Sequence, residues 1–361
     1  MPSHISLAIN ERPVSGDLLA TVISASIKDA SGASSDICQI VLDDMDDQIA
    51  FPSSGDAITL EMWRNEVPGR ALFKGVLDEP RSRGARGGGQ EIVITGKAAD
   101  LRGGLKDRKE KHKDEASFEE AAGAFAPEGY TLKFGGDLGR IRRDYWYLGR
   151  ESFLHWAQRT ARELGATFKV IGRTAVFVPR GVGLSASGQP LQTIRATRPG
   201  NIVAWDLGPD DGRPQRQKFE ALWYDVAEAK WKNQRGEVRA VGSEVGVGVS
   251  RFSAADQDTA GRLSSAMERE AEREKGGGTV TIDGDPAALA EAPCLVTIRA
   301  GVSGMYRIDS VEHSWTRQAG FLTTLTLKQP GKGTGKDDRG RSVGGGILDD
   351  APALSGTGSA S

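Results

Sequence analysis

The chain is poor in cysteine, with only Cys38 and Cys294 among 361 residues. Two thiols build neither a disulfide framework nor, by themselves, a four-ligand zinc site. Histidine is scarce too: His4, His112, His155 and His313 stand far apart, none at metal-ligand spacing from another. No apolar run approaches the roughly 18 residues of a membrane span, and no basic stretch followed by an apolar one opens the chain. The expectation is no secretion and no stable membrane association. An excess of one charge is also missing: 47 Lys and Arg face 49 Asp and Glu, a net charge of −2, so no global basic field holds nucleic acid. What abounds is glycine, 47 residues, well above the average usage of about 7%. Many tight turns between short strands need it.

The first hundred residues carry strand patterns. Leu19–Ile27 alternates in part, and Ser35–Leu42 (SDICQIVL) sets Cys38, Ile40 and Leu42 against Ile37, Gln39 and Val41. Pro52 and Gly55 punctuate. Ala57–Trp63, Ala71–Leu77 and Glu91–Gly96 then follow as strands, with turns at Pro68-Gly69 and over Gly84–Gly89. Short strands between Gly/Pro turns suggest a small barrel or sandwich.

Composition shifts at Arg102. Residues 102–114 (RGGLKDRKEKHKD) are almost devoid of apolar side chains and are expected to form a linker or solvated loop in preference to a phosphate-binding patch; interleaved acids and the lack of aromatics argue against a stacking platform. Ser117-Phe118-Glu119-Glu120 is a capping box that opens a helix with Phe118, Ala121, Ala122 and Phe125 on one stripe. A second helix is expected from about Ser152 to Leu164, with Gly165 at its C′ position, and then a hairpin of Thr167–Ile171 and Thr174–Val178 around Gly172-Arg173. Residues 115–180 thus read as an α+β unit between all-β parts. Strands return at Asn201–Leu207 and Phe219–Trp231. A helix over about 253–275 presents Ala260, Leu263, Ala266, Met267 and Ala271 inward and is expected to end at Gly276-Gly277-Gly278. Strands at Thr279–Ile282, Cys294–Arg299, Met305–Trp315 and Phe321–Gln329 complete the pattern. From Gly331 onward the sequence is mostly Gly, Ser, Asp and Lys, with one short apolar patch at Ile347-Leu348, and reads as a tail that orders only against a partner.

Two stretches run in the same order. AITLEMW, ALFKGVLDE and EIVITGKAA are echoed by CLVTIRAG, GMYRIDSVEHSW and FLTTLTLKQ, the middle strand carrying an Asp in both. The echo suggests two similar β-domains in one chain, separated by the α+β insertion.

A search for catalytic chemistry returns little. There is no GxSxG, HExxH or CxxC; Gly331–Lys336 is followed by Asp337 where a phosphate loop needs Ser or Thr, and Gly181-Val182-Gly183 does not continue as GxGxxG. His313 has Glu312 and Ser314 beside it, but neighbours on a strand face opposite ways, which favours a structural histidine. Glu151 and His155 stand one helical turn apart and read as a surface pair. The acidic turn Asp43-Asp44-Met45-Asp46-Asp47 lacks the spaced ligands and glycine of a calcium loop. Cys38 and Cys294 read as small hydrophobes, a bridge between them staying open only where two β-domains meet across a subunit boundary. The expectation is therefore no catalytic residue, no cofactor site and no metal site, against two alternatives. One is a cell-wall hydrolase, for which no carboxylate constellation is apparent. The other is a receptor-binding module using Trp63, Trp146 and Trp156 to stack on sugars.

The order of segments resembles the late control protein D family, the central baseplate hub proteins of contractile-tailed phages. The resemblance rests on SSDICQIVLDD (34–44), FPSSGDAITLEM (51–62), ALFKGVLDE, EIVITGKAADLRGGLKDRK, RESFLHWAQRTARELGATFKV (150–170), VFVPRG, SGQPL (187–191) and GMYRIDSVEHSWTRQAGFLTTLTL (304–327). The chain departs before the second helix, where Tyr145–Arg150 and Glu151-Ser152-Phe153 replace the family's Gln…Glu-Ser-Asp run.

The resemblance implies a mainly β fold: two similar barrel-like tube domains, a small α+β insertion domain and an extended C-terminal tail. The expected limits are 1–101 for the first tube domain, 102–190 for linker and insertion, 191–330 for the second tube domain with its long helix, and 331–361 for the tail. It implies a homotrimer whose six tube domains make a pseudo-sixfold ring between a hexameric tail tube, or tube initiator, and a trimeric spike. The lumen would pass tape measure protein and then DNA in transit. The remaining partners implied are other baseplate proteins, and the implied location is the virion's tail baseplate, with host cytoplasm during assembly. Related type VI secretion proteins fuse a β-helical spike to the hub; no repeat follows residue 329, so the spike is expected to be a separate chain. Two further expectations concern surfaces. Edge strands such as Ala57–Trp63 would be capped by neighbouring subunits, and a lumen that lets DNA leave would be neutral or acidic.

Overall fold

Thirteen strands of this chain lie in one sheet, and their order is the central fact of the fold. The computed structural model describes residues 2–31, 35–99, 104–181, 183, 189–209, 216–237, 246–250, 253–254, 256–273, 276–299 and 301–329. The expected tail over 331–361 lies outside them.

The N-terminal part comprises β1 (Ser3–Ile9), a two-residue β2 (Arg12–Pro13), a one-turn helix α1 (Gly16–Ala20), β3 (Val22–Ala30), β4 (Ile37–Asp43), β5 (Ala57–Arg64), β6 (Ala71–Gly84) and β7 (Gln90–Lys97). Sequence patterning missed β1 and α1. Leu19 and Ala20, expected in a strand, are helical because Ser15 caps that turn by accepting from the Leu18 amide at 3.2 Å. Side by side the strands run β3-β4-β7-β6-β5-β1, every pair antiparallel. As the alternation requires, Cys38, Ile40 and Leu42 of β4 are buried, joining Ile58, Leu60, Phe73, Ile92 and Ile94 in one apolar cluster.

The middle part has a cluster of its own. It comprises β8 (Arg108–Ser117), α2 (Phe118–Phe125), β9 (Thr131–Phe134), β10 (Arg142–Ser152), α3 (Phe153–Glu163), β11 (Ala166–Ile171) and β12 (Thr174–Pro179). Both reciprocal bonds of the Ser117–Glu120 capping box are made, and the whole stripe of α2 is buried. Gly165 takes φ +66° after α3 and Gly172 takes φ +58° in the β11–β12 hairpin, left-handed positions where a side chain is disfavoured. The expectation of a solvated loop over 102–114 fails for its second half: Arg108–Asp114 belong to β8, which pairs antiparallel with β10. That ribbon is exposed on both faces over most of β8, so charged side chains cost nothing there and apolar alternation, the usual strand signal, is absent.

The C-terminal part comprises β13 (Ile194–Thr197), β14 (Ile202–Pro209), β15 (Arg216–Asp225), β16 (Lys230–Glu237), β17 (Gly246–Val249), α4 (Gln257–Arg273), β18 (Gly276–Asp283), β19 (Pro293–Thr297), β20 (Gly304–Thr316) and β21 (Gly320–Lys328). Two expectations are corrected. Phe219–Trp231 is not one strand but the hairpin β15–β16, turned where the Asp225 carboxylate accepts from the Ala227 and Glu228 amides. Gly276–Gly278 do not merely stop a helix: they begin β18, and a Cβ on Gly277 or Gly278 would collide with backbone oxygens of β21 and β14. Glycine lets three strands approach there.

Side by side, this last part runs β14-β18-β21-β20-β19-β13. Matched in chain order, β13, β14, β18, β19, β20 and β21 occupy the places of β1, β3, β4, β5, β6 and β7. The two paths differ in one orientation: β13 runs parallel to β19, where β1 is antiparallel to β5. Irregularities recur as well. The β3–β4 ladder slips at Ile23 and the β14–β18 ladder at Val203; the β6–β7 ladder slips at Asp78 and the β20–β21 ladder at Asp309. Each bulged aspartate meets the lysine ending the neighbouring strand, Asp78 with Lys97 at 2.5 Å and Asp309 with Lys328 at 3.7 Å. Bulges are specific local features, so their recurrence makes the sequence echo a repeat of topology.

Candidate functional site

The two repeats are joined by strand pairing. β20 outruns β19, and its second half, Ser310–Thr316, pairs antiparallel with β3 from Ala30 to Ser24. The joint continues one residue further, where the Ser31 amide donates to the Asp309 carbonyl at 2.8 Å. β5 (Ala57–Arg64), expected at an edge, lies between β6 and β1. Among the described residues the thirteen-stranded sheet has open edges at β13 and at β1–β2, and two more where the repeats end: the side of β14 away from β18, and the side of Glu79–Gly84 in β6 away from β7.

Buried charge anchors the joint. Arg307 of β20 is fully buried and its guanidinium meets Glu291 at 2.5 Å and Asp309 at 3.4 Å. Glu291 also accepts from the Ser31 hydroxyl and, at 3.0 Å, from the Gly181 amide. One carboxylate thereby ties the N-terminal part and the end of the middle part to the C-terminal part. Arg180 and Arg273 share Glu270 of α4 at 3.1 and 3.0 Å. Burial, then repulsion from Arg307 and Arg180, pulls the Arg273 guanidinium down to about 10. On the other flank Lys169 of β11 bridges Asp29 and Asp36 at 2.6 Å each, and Asp29 accepts from the Ala290 amide at 2.9 Å. Burial raises Asp36 to about 6 despite Lys169, while Lys169 and its hydrogen bonds hold Asp29 below the usual carboxylate range against its own burial.

His313 is held by structural contacts. It is buried in the joint, its Nδ1 3.1 Å from the Thr323 hydroxyl and its Nε2 3.3 Å from the Ala288 carbonyl, while Glu312 faces the other way. Burial lowers its pKa to about 4, against the hydrogen bond to Ala288 and the charges of Asp29 and Asp285.

Asp36 and His313 give a pH test with opposite signs. A carboxyl raised from 3.8 to about 6 stabilises the fold below 3.8, and that contribution is lost as pH rises through 6. A histidine lowered from 6.5 to about 4 stabilises above 6.5, and that contribution is lost as pH falls through 4. In the parent the two slopes largely cancel between those values. Asp36→Asn should leave a chain that loses up to ~3 kcal/mol on acidification from pH 6.5 to 4, and His313→Gln one that gains on the same change. Urea titrations at intervals across that window read both.

The remaining candidates also make structural contacts. Glu151 accepts from Arg159 at 2.6 Å as well as pairing with His155, and holds the start of α3. Cys38 and Cys294 are free, buried thiols whose burial pushes them up to about 12, too high for thiolate chemistry. The acidic turn is self-satisfied, Asp44 accepting from the Ile49 amide at 3.0 Å and Asp47 bonding Gln90. No group of three or more metal-ligating side chains is found among the described residues. Trp146 and Trp156 are core residues packed around Phe118, not sugar platforms, while Trp63 lies between His4 and Arg70, 5.3 and 4.4 Å from them. A cavity of about 670 Å³ is lined by residues of β10, α3 and α4. Its carboxylate, Glu163, is ion-paired to Arg143 and Arg159 at 3.3 and 3.1 Å, without a second acid in the lining.

Comparison with solved structures defines the class: this is the fold of phage tail proteins. A tail protein from Neisseria meningitidis matches with a TM-score of 0.66 at 15% identity, over 91% of this chain and 97% of its own. A prophage MuSo2 tail protein from Shewanella oneidensis does the same over 91% and 99%. An Escherichia coli component of the type VI secretion system, described as structurally similar to bacteriophage T4 tail proteins, matches at 0.55 and 10% identity, over 93% of this chain and 79% of its own. By sequence, the chain is similar to the probable baseplate hub proteins of Escherichia phages 186 and P2. Identity is 27% over 59% of this chain and 58% of the first protein, and 26% over 53% and 49% for the second. The chain thus spans about half the length of the curated relatives it matches. No family model matches it. The baseplate-hub resemblance read from the sequence agrees with these names.

Proposed function

We propose that the protein is a structural baseplate hub of a contractile phage tail or related particle, without catalytic activity. In this reading it forms a homotrimer in which the parts over 1–101 and 191–330 act as two similar tube domains. Three chains then present six similar faces to a tail tube or tube initiator on one side and a trimeric spike on the other. The lumen passes tape measure protein and then DNA, and the part over 102–190 stands outside the ring. One observation carries the reading: the same order of six strands, with bulges at the same places and one strand reversed, occurs twice in one chain and is joined edge to edge. A threefold assembly can continue a sixfold one only if each chain offers nearly equivalent faces twice. The curated hub relatives and the phage tail folds support the same assignment.

The expected result is a trimeric mass in light scattering at micromolar concentration, alone or with its spike, and no clearing of cell-wall material in a zymogram. A monomer under both conditions would sink the ring.

A further inference from the structure

We propose that neighbouring copies of this chain join through antiparallel pairing of β14 with the second half of β6, in a register that sets Asp206 of one copy against Arg83 of the next. The proposal rests on the trimeric reading and specifies its seam.

The template is the joint inside the chain. Arg307 faces Lys328 as Val76 faces Lys97, and both strands then bulge at an aspartate, so Arg307, Ile308, Asp309 and Ser310 correspond to Val76, Leu77, Asp78 and Glu79. Carried along the strand, His313, Ser314 and Trp315 correspond to Ser82, Arg83 and Gly84. Likewise Ile202 faces Ile282 as Val22 faces Leu42, with the bulge next, so Ala25, Ser26 and Ile27 correspond to Trp205, Asp206 and Leu207. Within the chain, β20 covers β3, pairing Ser314 with Ser26. The edges in the equivalent places, Glu79–Gly84 and β14, have no such cover among the described residues. Transferring the pairing sets Ser82 against Leu207, Arg83 against Asp206 and Gly84 against Trp205.

Three features of these edges fit that register. The Ser31–Asp309 bond fixes the alternation: Asp29, Ile27 and Ala25 point their backbone groups at β20. Their counterparts Leu207 and Trp205, with Ser82 and Gly84 opposite, would exchange hydrogen bonds across the seam. Arg83 and Asp206 then form a non-hydrogen-bonded pair, the kind whose side chains approach most closely. Arg83 already meets Glu91 of β7 at 3.1 Å, so Asp206 would extend an ion ladder across three strands. Finally, the register brings Pro80 opposite Pro209, in the place of Val311 and Asp29. Neither has an N–H, and both would lack it toward the seam, so pairing must stop there and cannot slide past. The joint within the chain has no proline in its paired stretch, which makes the seam between copies the shorter and weaker. Trp205 and Val203, exposed apolar residues on β14, lie where a covering strand would shield them.

The test uses full-length protein carrying R83C and D206C, oxidised with copper phenanthroline after assembly; Cys38 and Cys294 are buried and give no background. Covalent trimers on a non-reducing gel are expected, with R83C and L207C, one residue out of register, giving mostly single chains. Single charge reversals R83D or D206R should weaken association about fivefold per seam, and the double reversal should restore it. Both positions are exposed, so an unchanged circular dichroism spectrum certifies folding. A trimeric mass without the cross-link overturns this seam while leaving the trimer standing. A monomeric parent, alone and with spike, overturns both.

Discussion

Glu291→Ala is expected to lose ~3–5 kcal/mol of unfolding free energy, because it leaves the fully buried Arg307 guanidinium with its chief counter-ion gone. The Ser31 hydroxyl and the Gly181 amide lose their acceptor in the same change. Replacing both members, Glu291→Met with Arg307→Met, should cost far less, since what is expensive is one buried charge left alone. Glu291 also holds φ at +72°, left-handed for a residue with a side chain. Strain of this kind persists only where the surroundings over-determine it, and here three parts of the chain pull on one carboxylate. Glu291→Gly separates the two effects: it relieves the backbone but not Arg307, so it should recover only the smaller share. Urea denaturation reads all four proteins. A loss below about 1 kcal/mol for Glu291→Ala would mean that Asp309 alone satisfies Arg307. A second transition in the variant, absent in the parent, would mark the three parts coming apart before they unfold.

The importance of Glu291 was not readable from the sequence. It sits in an alanine-rich stretch between strands, and its partners Ser31, Gly181 and Arg307 lie up to 260 positions away. Buried ion networks carry no periodicity, and one Glu in a loop looks like any solvated acid. His313 was legible as structural because the two-residue period of a strand separates it from Glu312 without knowledge of the fold. The repeat was legible in outline, through alternating strands and the shared Asp. The edges were not: Ala57–Trp63 has strong strand character, but whether a strand ends a sheet depends on partners the chain brings from afar, here β1. Helices α2 and α3 were placed well because a capping box and a C′ glycine are local signals, whereas the one-turn α1 was missed. Charged β8 was missed, since exposure on both faces removes the contrast on which strand recognition rests.

Phe118→Ala is expected to cost a similar ~3–5 kcal/mol, the loss typical of a large buried aromatic, yet to leave assembly intact. Phe118 lies at the centre of the middle part, edge-on to Phe134 and Phe177 at 5.4 and 4.9 Å and stacked on Trp146 at 5.4 Å. Its cluster includes residues from α2, α3, β10, β11 and β12, and none from the two repeated strand paths. No strand of β8–β12 enters the thirteen-stranded sheet. The damage should therefore be local. Hydrogen exchange should rise across 116–179, while amides of the β3–β20 joint keep parental protection and the oligomeric mass stays unchanged. Glu291→Ala should do the reverse, loosening the joint and lowering the oligomeric mass while the aromatic cluster keeps its protection. The two variants remove comparable energies from different places, so the contrast separates stability from assembly. Loss of the oligomer in Phe118→Ala with the joint still protected would put the middle part at the contacts between copies, against the reading in which it stands outside the ring.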